Sequence, residues 1–140
     1  MNLSAKTEYA CLAMLELAKE FDSGEPVQLR RIAAEHGIPS RFLVQILLQL
    51  KGASLVASTR GAAGGYRLAR SPGEITLADV IEVIEGEDRP ESSYSKPSPL
   101  ARALLDFCRE MTQLQRERLE SETLADLVDA ATQREPMYFI

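Results

Sequence analysis

The sequence predicts a mainly α-helical fold with a small β-hairpin: a winged helix-turn-helix followed by a long C-terminal helix suited to dimerisation. Three observations predict it. Apolar residues recur at helical spacing through most of the 140 residues. Between Leu29 and Lys51 a short helix, a tight turn containing Gly37 and Pro39, and a second helix follow one another. Directly after them stands Arg60 to Arg70, RGAAGGYRLAR, whose glycine-rich tip is flanked by the runs Ser54 to Thr59 and Tyr66 to Ala69, as a two-stranded wing requires.

The first helix is read from Ser4 to Phe21, with Ala10, Met14, Leu17, Ala18 and Phe21 on one stripe and Leu12 and Leu15 widening it. A helix apolar around so much of its circumference must be covered on two sides, a demand that a dimer meets more easily than a monomer of this size. Gly24 and Pro26 stop it. Leu29 to His36 forms the second helix, ended by Gly37, and Ser40 is the N-cap of a third that runs to Lys51. Ile32, Ala33, Leu43, Leu47 and Leu50 hold this pair against the first helix. Thr76, with Asp79 three residues on, opens a fourth helix whose buried face is Leu77, Val80, Ile81 and Ile84. It ends at Gly86.

Residues 87–99 carry three prolines, four serines and five charges, the composition of an exposed connector. Periodicity returns at Leu100, and Leu100, Leu104, Phe107, Met111 and Leu114 form one narrow heptad-like seam, with Ala103 beside it and Leu119 continuing it. Such a seam wants another helix, and a twofold mate is the most economical donor. Thr123 to Leu127 repeats the capping pattern of Thr76 to Val80 and opens a short last helix; the apolar tail Met137 to Ile140 is expected to dock on the dimer. The expected organisation is a winged helix-turn-helix over 1–86, a connector over 87–99, and the dimerisation and terminal helices over 100–140.

The formal charge of −5 argues against nucleic acid only as an average. Residues 1–72 carry a net +3 and residues 73–140 a net −8, so a basic half can face phosphates while an acidic half turns away. No charge-free run approaches the roughly 18 residues a membrane span needs, and Lys6 and Glu8 interrupt any early signal-like segment, so the expected location is cytoplasmic, with no membrane partner. No Gly-x-x-x-x-Gly-Lys, Gly-x-Ser-x-Gly or Cys-x-x-Cys is present, and one histidine is too few for the usual acid-base constellations; an enzyme is not expected. A helix-turn-helix joined at once to a glycine-tipped ribbon is much rarer than either alone, and it points to double-stranded DNA. The alternative of another class is a winged-helix adaptor that docks a protein without DNA contact.

Four stretches resemble the winged-helix bacterial regulators of the IscR, NsrR and CymR type, the Rrf-two family: NLSAKTEYA at 2–10, PVQLRRIAAEHGIPSRFLVQ at 26–45, RGAAGGYRLAR at 60–70 and ITLADVIEVIEG at 75–86. The resemblance implies a homodimeric transcriptional regulator that crosses its long helix with its partner's and binds a palindromic operator, with repression the expected mode. It implies that Ser40, Arg41, Val44 and Gln45 lie nearest the bases, Gln45 reading adenine and Arg41 holding guanine or phosphate. Arg60 reaches the minor groove, Gly64 and Gly65 allow close approach, and Arg30, Lys51 and Arg67 suit phosphates. Val44 replaces the acidic residue some members carry, so operator preference is expected to differ.

Many members ligate an iron–sulfur cluster with three cysteines in the connector. Here the connector holds Ser92, Ser93 and Ser98 and no cysteine, so no cluster of that kind, and no other cofactor, is expected. Glu8 and His36 match positions that supply non-cysteine ligands in some relatives, but each also has a simpler reading: His36 beside the carbonyls at a helix end, Glu8 favouring a helix dipole. Cys11 and Cys108 are expected to be buried small hydrophobes, with a thiol switch as the alternative. The effector is open between a small molecule, a protein and none.

Overall fold

The computed structural model describes residues 1–86 and 98–134. The expected connector, apart from Ser98 and Pro99, and the expected docking tail lie outside the described residues. Six helices and one hairpin follow in the order α1 (Ala5–Lys19), α2 (Leu29–His36), α3 (Ser40–Gly52), β1 (Val56–Thr59), β2 (Gly65–Leu68), α4 (Leu77–Glu85), α5 (Pro99–Ser121) and α6 (Leu124–Arg134). The mainly helical, winged architecture expected from the sequence is the one observed.

α1 starts where the Ser4 side chain accepts the Thr7 N–H at 3.2 Å. It is the central post of the fold. Ala10, Ala13, Met14 and Leu17 are buried, and α1 packs against α2, α3, α4, α6 and β2. The sequence reading assigned one side of α1 to a dimer partner, whereas the chain's own α4 and α6 supply that cover. α6 returns because Leu124 inserts into the core, and because Leu77 N–H donates to Glu122 O and Leu124 N–H to Ile75 O, each at 2.9 Å. Thr76 and Thr123 thus form a single antiparallel bridge. The repeated Thr-Leu-Ala-Asp pattern therefore does more than cap two helices: it pairs their starts side by side.

Both starts are capping boxes. Thr76 and Asp79 exchange bonds of 2.9 and 3.1 Å, and Thr123 and Asp126 bonds of 3.0 and 3.1 Å. The Thr123 N–H, with the Thr123 side chain, holds the Asp126 carboxyl below its ordinary value.

α5 begins with Ser98, whose hydroxyl accepts the Ala101 N–H at 3.1 Å, and Pro99, whose missing N–H costs nothing in a first helical turn. Twenty-three residues make a rod about 35 Å long. It touches its own core through α4, with Leu119 turned inward rather than continuing the seam. Leu100, Leu104, Phe107, Met111 and Leu114 face outward, between 40% and 85% exposed.

Candidate nucleic-acid interface

Ile32 on α2 and Leu43, Ile46, Leu47 and Leu50 on α3 are buried, which turns the opposite face of α3 to solvent. Arg41, Val44, Gln45 and Leu48, three or four residues apart, form the outermost stripe of that face. Gly37, at φ +65, lets α2 end and the chain turn towards α3 within three residues. Ser40 was expected to cap α3. Pro39 holds that position, and Ser40 stands exposed in the first turn.

The helix starts differ in a way that bears on phosphate binding. Hydroxyls of Ser4, Thr76, Ser98 and Thr123 cap α1, α4, α5 and α6. Neither α2 nor α3 has a side-chain cap, so both present backbone N–H groups and the positive end of a helix dipole at the surface. These are the two helices of the helix-turn-helix.

Salt bridges fix how α2 sits on α1. Glu16 is only 4% exposed; its Oε1 lies 3.1 Å from His36 Nε2, while Oε2 lies 3.3 Å from Lys19 Nζ and 3.7 Å from Arg31 Nη2. Glu20 adds a 2.8 Å bond to Arg31. A carboxylate this buried depends on its partners, so the cluster fixes the seat of α2 on α1. His36 therefore pairs with Glu16 rather than with the carbonyls of its helix end. Glu8 stands exposed in the first turn of α1, two helical turns from Glu16. Sequence reasoning missed Glu16, although a lone carboxylate in an otherwise apolar run, MLELA, was its signal.

The hairpin pairs Val56 with Leu68 through to Thr59 with Gly65. It is shorter than expected because Ser54 turns at φ +63 before the strand begins. Three attachments hold it to the helices. Val27 and Tyr66 exchange two backbone bonds of 2.8 Å; Lys51 Nζ donates to Ser58 Oγ at 2.7 Å; and Gln28 Nε2 reaches Ala62 O at 3.3 Å. Wing and α3 are one unit. Arg60, Arg67 and Arg30 are exposed around it. Lys51 donates to Ser58 on the wing and remains exposed.

Gly64 and Gly65 serve the hairpin itself. A Cβ on Gly64 would lie 2.1 Å from Thr59 O, and one on Gly65, at φ +154, would lie 2.5 Å from Val27 O. The close approach they permit is of backbone to backbone within the chain, and Gly64 is buried.

The two cysteines part company. Burial pushes the Cys11 thiol up to about 11, with the Glu85 and Glu8 carboxylates adding to the shift. Cys108, expected to be buried, is exposed on α5, a helix with no fully buried residue. A thiol-specific alkylating reagent at neutral pH is expected to label Cys108 at least tenfold faster than Cys11, read by peptide mass spectrometry. Equal rates would show that Cys11 is not sealed.

A family model described as Rrf2, iron-dependent transcriptional regulator, matches residues 3–130. The HTH-type transcriptional regulator CymR of Bacillus subtilis is 38% identical over 127 residues, covering 91% of this chain and 89% of that protein. The solved structure of CymR, titled the global cysteine regulator of B. subtilis, superposes with a TM-score of 0.79 at 35% identity, over 93% of this chain and 98% of that one. T. potens IscR does so with 0.78 at 35% identity, over 94% and 88%. The donor set here does not fit a three-thiolate cluster: the chain has two cysteines, one sealed in the core and one on the outer α5 rod. Nor do three His, Cys, Asp or Glu side chains converge as a metal site among the described residues. No described helix is long and apolar enough to cross a membrane. With a helix-turn-helix, a locked wing and a family match over nearly its whole length, the chain belongs to the Rrf2 family of DNA-binding transcriptional regulators rather than to any class of enzyme.

Proposed function

We propose that this chain acts as a homodimer on a palindromic operator, as a repressor that occludes promoter DNA, without an iron–sulfur cluster. The observation that carries this reading is the joining of the exposed α3 stripe to a wing bearing Arg60 and Arg67, beside two helices whose N-termini lack side-chain caps. Ser40, Arg41, Val44 and Gln45 meet base edges in the major groove, and Arg60 enters the minor groove. Arg30 and Arg67 contact phosphates; Lys51 does so from a position shared with Ser58. Gly64 and Gly65 close the hairpin that carries Arg60 and Arg67 to the duplex. The α5 seam clasps its twofold mate and sets the separation of two α3 helices, which must match half-sites about 34 Å apart or a multiple of that.

Anisotropy titrations of genomic fragments at several salt concentrations test the reading. Specific complexes whose affinity falls steeply with salt are expected. Arg60→Ala should weaken operator binding by about 1–3 kcal/mol and blunt preference for the minor-groove positions. Absence of any complex at low salt would instead favour an adaptor that docks protein.

A further inference from the structure

We propose that Val44 and Leu48 read thymine methyl groups in the major groove, so that the preferred half-site carries thymines about two base-pair steps apart. The proposal rests on the DNA-binding reading above and adds what the apolar part of the α3 face selects.

Val44 is 41% and Leu48 60% exposed, although apolar neighbours at 43, 46, 47 and 50 are all buried. They are not strays from the core. They sit four residues apart on the outward stripe, flanking Gln45, with Val44 one turn and Leu48 two turns beyond Arg41. The Arg41 guanidinium lies 5.2 Å from the centre of the Phe42 ring, drawn to the flank of the helix, and it leaves Val44 and Leu48 uncovered.

Apolar surface in water gains when other apolar surface covers it. The surroundings restrict what that surface can be. The charged residues of α3, Arg41 and Lys51, are both basic and exposed, as are Arg30 on α2 and Arg60 on the wing, which fits the phosphates bordering a groove and not an apolar protein patch. Within the major groove the C5 methyl of thymine is the apolar group a base pair offers. Four helical residues rise about 6 Å, and base pairs stack about 3.4 Å apart, so two such side chains address methyls roughly two steps apart. Gln45 between them offers its amide to an adenine edge.

The test uses full-length protein and duplexes selected from a random-sequence library, with each thymine then replaced singly by uracil. Uracil removes the methyl and keeps every hydrogen-bonding group. Affinity is expected to fall about 3–5-fold at one or two thymines in each half-site, the equivalent of burying one methyl. Leu48→Ala should abolish the thymine-over-uracil preference at one of these positions and Val44→Ala at the other; both side chains are solvent-facing, so the fold tolerates the change. Bound duplex that is indifferent to every uracil, or a preference unchanged in both variants, overturns the proposal and leaves the regulator reading intact. Failure to select any duplex overturns both.

Discussion

Replacing Leu104 with glutamate is expected to halve the sedimentation mass at micromolar concentration and to lower operator affinity by a factor of about 10²–10⁴. Leu104 lies within the seam and is 60% exposed in the single chain, so the substitution leaves the fold of one protomer nearly untouched. In the proposed dimer it puts a carboxylate into the apolar seam from each copy. Each copy loses the burial of a leucine, about 1.5–3 kcal/mol, and each incurs the larger cost of a charge without a partner in an apolar seam. The twofold axis applies both penalties twice. Loss of dimer turns two linked binding events into separate ones, which is the source of the predicted affinity drop. Arg109→Glu is the control, because position 109 lies on the opposite side of the heptad pattern and should leave the mass unchanged. A Leu104→Glu protein of unaltered mass would show that some other surface holds the copies together.

What could be read in advance divides by range of interaction. α2 was legible from Leu29 to His36 because its end is a local event, a glycine in the left-handed region at residue 37. The Thr76–Asp79 box was legible for the same reason: donor and acceptor lie three residues apart. The winged helix-turn-helix followed from the order of such local signals. The exposed residues of α3 and the wing were legible as surface, but what supports them from beneath was not. Glu16 is buried only because α2 brings Arg31 and His36 onto α1, a contact 15–20 residues distant in sequence. The Thr76–Thr123 bridge spans two helices, and nothing in either Thr-Leu-Ala-Asp run announces that the other lies beside it. Leu48 lies outside the inner stripe of Leu43, Leu47 and Leu50 and falls outward, but periodicity alone gave this exposed leucine no role. Cys108 differs in the opposite sense: helical periodicity suggests cover for it, but the chain's own fold buries no residue of α5 fully.

The glycine pair of the wing makes the second large prediction, because its role is set by backbone and not by any contact with a ligand. Gly65→Ala drives a methyl to within 2.5 Å of Val27 O in a conformation, φ +154, that L residues rarely adopt. Neither atom can yield without separating Val27 from Tyr66, and with them two 2.8 Å backbone hydrogen bonds. At about 1 kcal/mol for each bond, with the backbone strain added, the loss is on the order of 2–4 kcal/mol, visible as a lower denaturant midpoint. Gly64→Ala meets Thr59 O and the Arg60 carbonyl carbon and should cost as much, through the opposite edge of the ribbon. Gly73→Ala has open space around the new methyl and should shift the midpoint little. Affinity for the operator should fall with the first two and not the third, since Arg60 and Arg67 are aimed only while the hairpin is closed. If Gly65→Ala kept full stability, the wing would have to be held by Lys51–Ser58 and Gln28–Ala62 alone, and the Val27–Tyr66 pairing would be incidental to the reading head.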